Sequence, residues 1–241
     1  MPPGGPDPDL VSAAAMVFVD DVAAPRLDRG AVHHLVDVLR LRPDEVVIAS
    51  DGAGSWVRCR LSGTGAGALA VDGTISVQPA PDPRITVAFV PTKGDRPEWV
   101  AQKLTELGVD RIVPLSSRRS VVRWHGERGG RSVDRLRRVA REASAQCRRP
   151  HLPEVTGVMD LEELAALVGT EPCLAQPGGG PPSLDRAVVA VGPEGGWDDD
   201  EKARWGPGIG LGPTVLRSET AAVAAGTLLC ALRGGVVGPL A

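Results

Sequence analysis

The chain has 241 residues, of which 42% are hydrophobic and 24% charged, and its formal net charge is −3. This composition is typical of a folded globular protein and excludes a disordered chain. The longest apolar run, residues 221–232, contains Gly226 and is shorter than the length of about 18 residues that a bilayer requires, so we expect no membrane segment. Residues 1–10 carry neither the basic start nor the apolar stretch of a secretory signal, and we expect a cytoplasmic protein.

The spacing of cysteine and histidine predicts no metal site. The cysteines stand at positions 59, 147, 173 and 230, so none forms a C-x-x-C pair, and the four histidines supply no ligand set. We therefore expect reduced thiols. Two phenylalanines and no tyrosine disfavour an RNA-binding sheet that stacks bases on those rings.

Positive charge is concentrated in residues 111–149, which we call the arginine block. It holds twelve arginines and three acids, so its formal charge is +9 while the rest of the chain is acidic. One interpretation is a solvated helix face whose arginines are balanced by acids elsewhere in the fold. We favour a surface for a polyanion, because few acids lie nearby in sequence and the planar guanidinium suits phosphate.

The first third of the chain reads as a flexible tail, residues 1–12, followed by a small β-rich domain, residues 13–78. Asp-Gly and glycine-rich turns separate its short apolar runs. The predicted strands are 16–20, 46–49, 56–61 and 69–77, and helical spacing of Val32, Leu35, Val36 and Leu39 predicts a helix over 31–39. Residues 79–83 form a linker, because three prolines disfavour regular structure there.

From residue 84 to 241, strands and helices alternate, which is typical of a parallel sheet covered by helices. Asp95 is the expected N-cap of the first helix, with Glu98 three residues on, and Gly108 ends it. The predicted strands are 84–90, 111–115, 172–176 and 187–191, and the further helices are 132–147 and 219–232.

Three glycine-rich segments differ in what they predict. Residues 63–68 match a dinucleotide-binding pattern, but another strand follows, so we interpret them as a hairpin loop. The motif GPEGGW, residues 192–197, leaves a buried strand and precedes an acidic helix start. A second loop, over 211–221, also leaves a short apolar strand and enters a helix. Each loop alone is also consistent with a tight capped turn. Two such loops at strand ends of one parallel sheet predict a ligand crevice.

These motifs resemble those of the ribosomal RNA uridine-N3 methyltransferases that act on 16S RNA, a family in the SPOUT class of knotted methyltransferases. The resemblance spans residues 16–235 and rests on GPEGGW, LGPTVLRSETAA, the block PTKGDRPEWVAQKLTELGVDRIVPLSSRRSVV, the block REASAQCRRPHLPEV and the segment HHLVDVLRLRPDEVV. Three positions depart from the usual pattern: Trp197 stands for Phe, Pro213 for a basic residue and Ser218 for Thr.

The resemblance implies the fold and the cofactor. It implies a PUA-like β-barrel for RNA over residues 13–78 and, over 84–241, an α/β SPOUT domain with a parallel sheet and a C-terminal trefoil knot, an exception to the rule that chains do not thread. It implies S-adenosylmethionine bound in the knot loops and a homodimer whose active sites involve both chains. The expected partner is 16S ribosomal RNA or the small ribosomal subunit.

The resemblance and the charge pattern together predict binding residues. The expected cofactor-binding residues are Leu174, Ala175, Gln176, Gly192, Pro193, Gly195, Gly196, Leu211, Gly212, Thr214 and Leu216. The expected RNA-binding residues are His34, Arg40, Arg42, Lys93, Arg118, Arg119, Arg123, Arg148 and Arg149.

Methylation at N3 of uridine requires that a proton leave, so the site needs a base or a cation that stabilises the uridine anion. Arg217 is the expected cation, and Glu194 or Glu219 the expected proton acceptor. The alternatives are that Arg217 only pairs with one of these glutamates and that Glu219 only caps a helix.

Two rival functions remain: a SPOUT enzyme that methylates a ribose 2′-hydroxyl, and a catalytically silent RNA-binding factor for ribosome assembly. The match of every block, including the N-terminal HH segment, favours the uridine enzyme over the first rival. The intact GPEGG and LRSETA motifs argue against the second.

Overall fold

The computed structural model describes residues 7–62 and 69–238. The chain divides into two compact units. The first comprises residues 1–80 and 144–152, and the second comprises 81–143 and 153–241. The sequence-based boundaries did not predict that residues 144–152 belong to the first unit. The glycine-rich loop 63–68 lies outside the described residues.

The first unit is built on a small mixed sheet. Its strands are β1 (Ala15–Phe18), β2 (Val46–Ser50), β3 (Ser55–Leu61), β4 (Leu69–Val71) and β5 (Ser76–Val77). Their order is β1-β2-β3-β4, with β5 also on β3, and only β1 and β2 run parallel. The single strand predicted over 69–77 is interrupted, because Gly73 turns the chain with a φ of +158°.

Two helical segments of this unit differ from the sequence predictions. Helix α1 (Pro8–Ser12) occupies part of the expected tail, and it is ordered because Leu10 is buried against the sheet residues Met16 and Ile48. Helix α2 (Arg29–His33) continues into a wider turn over 34–38. Only Leu35 of the expected apolar stripe is buried there, and Val36 and Leu39 are exposed.

Residues 144–152 are held in the first unit by hydrogen bonds from the Arg148 side chain to backbone carbonyl groups. The Arg148 guanidinium donates to the carbonyl groups of Ala13 and Ala14 at 3.1 and 2.9 Å and to that of Ala145 at 2.7 Å. Burial lowers the pKa of Arg148 below its ordinary value. Arg148 thus has a structural role in the first unit, and its contact with RNA stays a prediction.

The second unit is a five-stranded parallel sheet with helices on both faces. Its elements are β6 (Thr86–Phe89), α3 (Arg96–Leu107), β7 (Arg111–Pro114), α4 (Gly126–Gln146), β8 (Glu154–Val155), α5 (Leu161–Val168), β9 (Cys173–Gly180), a short helical turn (Leu184–Arg186), β10 (Val188–Val191), α6 (Asp199–Trp205) and α7 (Ser218–Arg233). The strand order is β8-β7-β6-β10-β9. Helices α3, α4 and α7 cover one face, and α5 and α6 cover the other.

The α/β fold class predicted from the sequence is confirmed, and most elements lie within a few residues of their predicted bounds. Helix α3 begins after Asp95 and ends at Gly108, whose φ is +98°. Its expected capping contact is absent from the structure: Asp95 makes no side-chain cap, and Glu98 instead accepts from Arg135 at 3.0 Å.

Helices α3 and α7 lie side by side and in parallel. Gly226 is required at their contact, because a Cβ there would lie 2.7 Å from Leu104 Cδ2. At the far end of α7, Arg233 forms a buried ion pair with Asp110 and donates to the carbonyl of Gly108 at 2.7 Å. Asp110 also accepts from the backbone N–H of Ile85, which fixes the end of α7 to the start of β6, the central strand of the sheet.

After α6 the chain passes tightly along β9. Ile209 is fully buried and bridges both Ala175 and Gly180 of that strand. A Cβ at Gly179 would lie 2.4 Å from the Ile209 carbonyl carbon, and one at Gly208 would lie 2.3 Å from the Leu174 oxygen. Glycine at these two positions lets two backbones approach within this region, where the resemblance implies the knot.

Candidate active site

A cavity of about 290 Å³ lies in the second unit, beside the middle of β9 and the C-terminal end of β10. Three segments form it: residues 175–177 of β9, the loop after β10, and the loop before α7. Its lining residues are Arg119, Ala175, Gln176, Pro177, Val191, Gly192, Pro193, Glu194, Gly195, Gly196, Trp197, Lys202, Leu211, Gly212, Thr214, Val215, Leu216, Ser218 and Ala221. The carboxyl ends of parallel strands are the usual place for a ligand crevice.

The structure brings together ten of the eleven residues expected to bind the cofactor, so three segments distant in sequence do share one cavity. Leu174 is the exception: it is fully buried in the core beneath the cavity. Whether these residues contact a cofactor stays a prediction.

The GPEGGW loop is shaped by Trp197. The indole N–H donates to the carbonyl of Ala175 at 3.1 Å, and the ring is 3% exposed. A Cβ on Gly192 would lie 3.1 Å from this ring, so glycine lets the indole pack on the backbone. Gly196 has a φ of +67° and closes a turn by donating to the Pro193 carbonyl at 2.8 Å. Trp197 thus ties the loop after β10 to β9.

The acidic start of α6 anchors the loop that follows β7. Asp198 and Glu201 form a capping box, and Glu201 is 8% exposed. The same Glu201 carboxylate accepts the backbone N–H of Arg118 at 3.1 Å, and the Arg118 guanidinium pairs with Asp200. A hydrogen bond from the Glu201 backbone N–H is the main cause that lowers the pKa of Asp198, and the charge of Arg118 lowers it further.

Arg119 lies at the cavity. Its guanidinium donates to the carbonyl of Gly195 at 3.0 Å, and the side chain is exposed. Arg118 and Arg119 were both expected on the RNA surface, but the first pairs with α6 and the second lines the candidate cofactor site.

The residues expected to be catalytic occupy three different environments. Glu194 is exposed and lines the cavity. Arg217 is exposed and has no ion-pair partner among the described residues. The alternative role, an ion pair with Glu194 or Glu219, is therefore not seen in this part of the chain. Glu219 is 13% exposed, pairs with Arg96 at 3.5 Å and keeps Oε2 buried without a partner. The neighbours of Arg217, Leu216 and Ser218, line the cavity, and the Ser218 hydroxyl donates to the Gly192 carbonyl at 2.8 Å.

The remaining residues expected to bind RNA are divided between the two units. His34, Arg40 and Arg42 are exposed on the first unit, and Lys93 and Arg123 are exposed on the second. Arg149, next to Arg148, is only half-exposed.

Acids from elsewhere in the fold neutralise part of the arginine block. The pairs are Arg111 with Glu154, Arg118 with Asp198 and Asp200, and Arg135 with Glu98, beside the local pairs Arg131–Glu127 and Arg137–Asp134. The expectation that too few acids balance the block was therefore wrong for these arginines. Arg128 and Arg138 on α4 stay exposed without a pair in the described structure.

Sequence reasoning missed several lining residues. Lys202 is one turn into α6 and pairs with Asp199 at 3.2 Å. Its place in the helix that follows the GPEGGW motif was the sequence signal that could have predicted Lys202 as a lining residue. Trp197 was noted only as a departure from a usual Phe, although an indole N–H next to a glycine-rich loop is a donor in need of a partner.

Two further findings concern metals and membranes. Within residues 7–62 and 69–238, no three His, Cys, Asp or Glu side chains come close enough to hold a metal ion. None of the described helices is both long and apolar enough to cross a membrane.

Comparison with known proteins gives two family matches. Residues 79–230 match the model of an RNA methyltransferase domain, and residues 27–72 match that of an RNA methyltransferase PUA domain. The chain is 34% identical to the ribosomal RNA small subunit methyltransferase E of Mycobacterium bovis, covering 88% of this chain and 89% of that protein. It is 30% identical to the protein of the same name from Bacillus subtilis, covering 79% and 83%.

Solved structures agree in fold. A methyltransferase structure from Legionella pneumophila, in complex with the bound cofactor SAM, superposes with a TM-score of 0.75 at 26% identity, covering 90% of this chain and 96% of that one. The ribosomal RNA small subunit methyltransferase E of Neisseria gonorrhoeae superposes with a TM-score of 0.74 at 24% identity, covering 90% and 97%.

Proposed function

Because the chain belongs to the ribosomal RNA small subunit methyltransferase E family, we propose that it transfers a methyl group from S-adenosylmethionine to N3 of a uridine in 16S ribosomal RNA. The observation that carries the proposal is the cavity between β9, the loop after β10 and the loop before α7. Its three segments are those for which the resemblance implies cofactor binding.

The lining of the cavity suits such a cofactor in its chemistry. A Cβ at Gly196 or Gly212 would meet no atom within 4 Å, so the backbone at these glycines is open to a ligand. Apolar side chains of Leu211, Leu216 and Ala221 offer a surface for the adenosine part, and main-chain groups of the loops offer donors and acceptors.

When bound, the cofactor supplies an electrophilic methyl group on a positively charged sulfur. The chain must hold donor and acceptor in line, and much of the rate enhancement of such a displacement comes from positioning. Arg217 is proposed to stabilise negative charge on O2 or O4 of the uridine as its N3 proton leaves. Glu194, exposed at the cavity, is the better placed of the two glutamates to accept that proton, because Glu219 is mostly buried and paired with Arg96.

RNA binding is proposed to use exposed cations of both units. These are Arg40 and Arg42 of the PUA-like unit and Lys93 and Arg123 of the SPOUT unit, and the exposed ring of His34 adds a hydrogen-bonding group beside them.

We also propose that the enzyme is a homodimer, as the resemblance implies. Trp99 on α3 is 44% exposed, and Val236 and Val237 after α7 are exposed as well, so this unit presents large apolar side chains to solvent. Sedimentation velocity of the wild type and of Trp99→Glu tests this. A dimer that Trp99→Glu weakens supports the proposal, and a wild-type monomer at micromolar concentration rejects it.

The proposed activity is tested with purified protein, methyl-labelled S-adenosylmethionine and two substrates: small ribosomal subunits and the naked 16S RNA from a strain that lacks the modification. Nucleoside mass spectrometry of the product should show labelled 3-methyluridine. Label in a ribose 2′-O-methyl nucleoside would identify the rival SPOUT activity. Cofactor binding without any transfer to either substrate, or no cofactor binding, would favour the silent assembly factor.

A further inference from the structure

Arg119 was predicted from the sequence to bind RNA, but it lines the cavity in which the cofactor is expected. Its guanidinium has five N–H donors, and the structure gives one bond, from Nη1 to the Gly195 carbonyl at 3.0 Å. Among the described residues, no carboxylate lies within ion-pair distance of it. The remaining donors are therefore available to a ligand in the cavity that Arg119 lines.

The backbone next to Arg119 is anchored, so its side chain starts from a fixed point. The N–H of Arg118 donates to the buried carboxylate of Glu201, and the Arg118 guanidinium pairs with Asp198 and Asp200 at the start of α6. Helix α6 directly follows the GPEGGW loop, whose Gly195 carbonyl receives the Arg119 bond. Pre-organisation of this kind reduces the entropy lost when a ligand is bound.

The ionisable groups around the cavity have a definite pattern. Three of the described lining residues carry charge: Arg119, Lys202 and Glu194. Lys202 already pairs with Asp199 at 3.2 Å, whereas no carboxylate of the described residues lies within ion-pair distance of Arg119. The pKa of Asp198, which is lowered mainly by a backbone hydrogen bond, is lowered further by the charge of Arg119. A ligand that suits this lining carries one anionic group that can pair with Arg119 and positively charged groups that Glu194 attracts.

We infer that Arg119 binds the carboxylate of the amino-acid end of the methyl donor. The inference rests on the proposed function, because it takes S-adenosylmethionine as the ligand. That molecule carries one carboxylate, one ammonium and one sulfonium, which matches the lining charges. The planar fork of a guanidinium suits a carboxylate, and charge-assisted pairs of this kind are the stronger hydrogen bonds.

The test is calorimetric binding of two ligands, S-adenosylmethionine and its decarboxylated analogue, to wild type, Arg119→Gln and Arg119→Lys. The matched control is Arg138→Gln, an exposed arginine on α4 that does not line the cavity. Loss of the charge-assisted pair should weaken S-adenosylmethionine binding about tenfold or more in Arg119→Gln. The decarboxylated analogue should bind wild type and Arg119→Gln equally, and Arg119→Lys should recover part of the loss.

The outcomes separate this inference from the proposed function. If wild type binds neither ligand, the proposed function fails. If wild type binds S-adenosylmethionine and Arg119→Gln weakens both ligands by the same factor, or neither, the carboxylate contact is refuted while the proposed function stands. A variant that loses only affinity for RNA returns Arg119 to the RNA surface and also overturns the inference.

Discussion

Gly195→Val probes whether the GPEGGW loop is the cofactor cradle. Gly195 lines the cavity, and its φ is not among the positive values, so a side chain there causes no backbone strain. A Cβ would lie 3.9 Å from Cβ and Cδ of Arg119, which is ordinary contact. The side chain would nevertheless occupy space that a bound ligand needs. We expect cofactor affinity to fall by more than about tenfold, or about 1.4 kcal/mol.

Calorimetry with S-adenosylmethionine measures the affinity, and thermal unfolding measures the stability. The midpoint should change by only about 2 °C, because an exposed substitution without strain changes stability by about 0.5 kcal/mol or less. Gly157→Val is the control, since Gly157 is exposed in a loop away from the cavity and a Cβ there meets no atom within 4 Å. Undiminished affinity in a folded Gly195→Val protein would remove this loop from the site. Gly196 is a poorer probe, because its φ of +67° makes any side chain strained by about 1 kcal/mol or more.

Three other substitutions test separate parts of the site and fold. Arg217→Ala should lower kcat about a hundredfold and leave cofactor affinity unchanged in steady-state kinetics and calorimetry; a change in affinity alone would make Arg217 a cofactor residue. Trp197→Phe keeps the ring and loses the indole hydrogen bond, so cofactor affinity should fall about fivefold, for a net bond of about 1 kcal/mol; equal affinity would show that the ring alone shapes the loop. Arg233→Met removes one partner of the largely buried Arg233–Asp110 ion pair and should destabilise the protein by about 3–5 kcal/mol in urea unfolding, with partial recovery when Asp110 is changed to Asn; a loss below about 1 kcal/mol would contradict the role of this pair.

The sequence predicted the second unit well because its signals are local. Buried parallel strands read as short apolar runs, and the end of α3 was readable from the cap residue Gly108. The cavity loops were predicted because glycine clusters directly follow strands. In the first unit, the stripe of Val32, Leu35, Val36 and Leu39 predicted one regular helix, yet only Leu35 is buried. Periodicity does not report how much of a stripe the neighbouring elements cover.

Contacts between residues that are far apart in the sequence could not be predicted from the sequence. The arginine block looked unbalanced because Glu98, Glu154 and Asp200 lie outside it, and only folding brings them to its arginines. Arg148 looked like a basic surface residue for the same reason, although it binds carbonyl groups about 135 residues away in sequence. The place of Arg119 at the cavity depends on the tertiary contact of its loop with α6, which no local pattern encodes.

The most direct measurement is nucleoside mass spectrometry of 16S ribosomal RNA from cells that lack the gene, complemented with wild type or with Arg217→Ala. We expect 3-methyluridine to be missing at one position without the gene, to return with wild type, and to stay low with Arg217→Ala. Unchanged 3-methyluridine in the deletion strain, with loss of a different modified nucleoside or of none, would contradict the proposed uridine-N3 methylation.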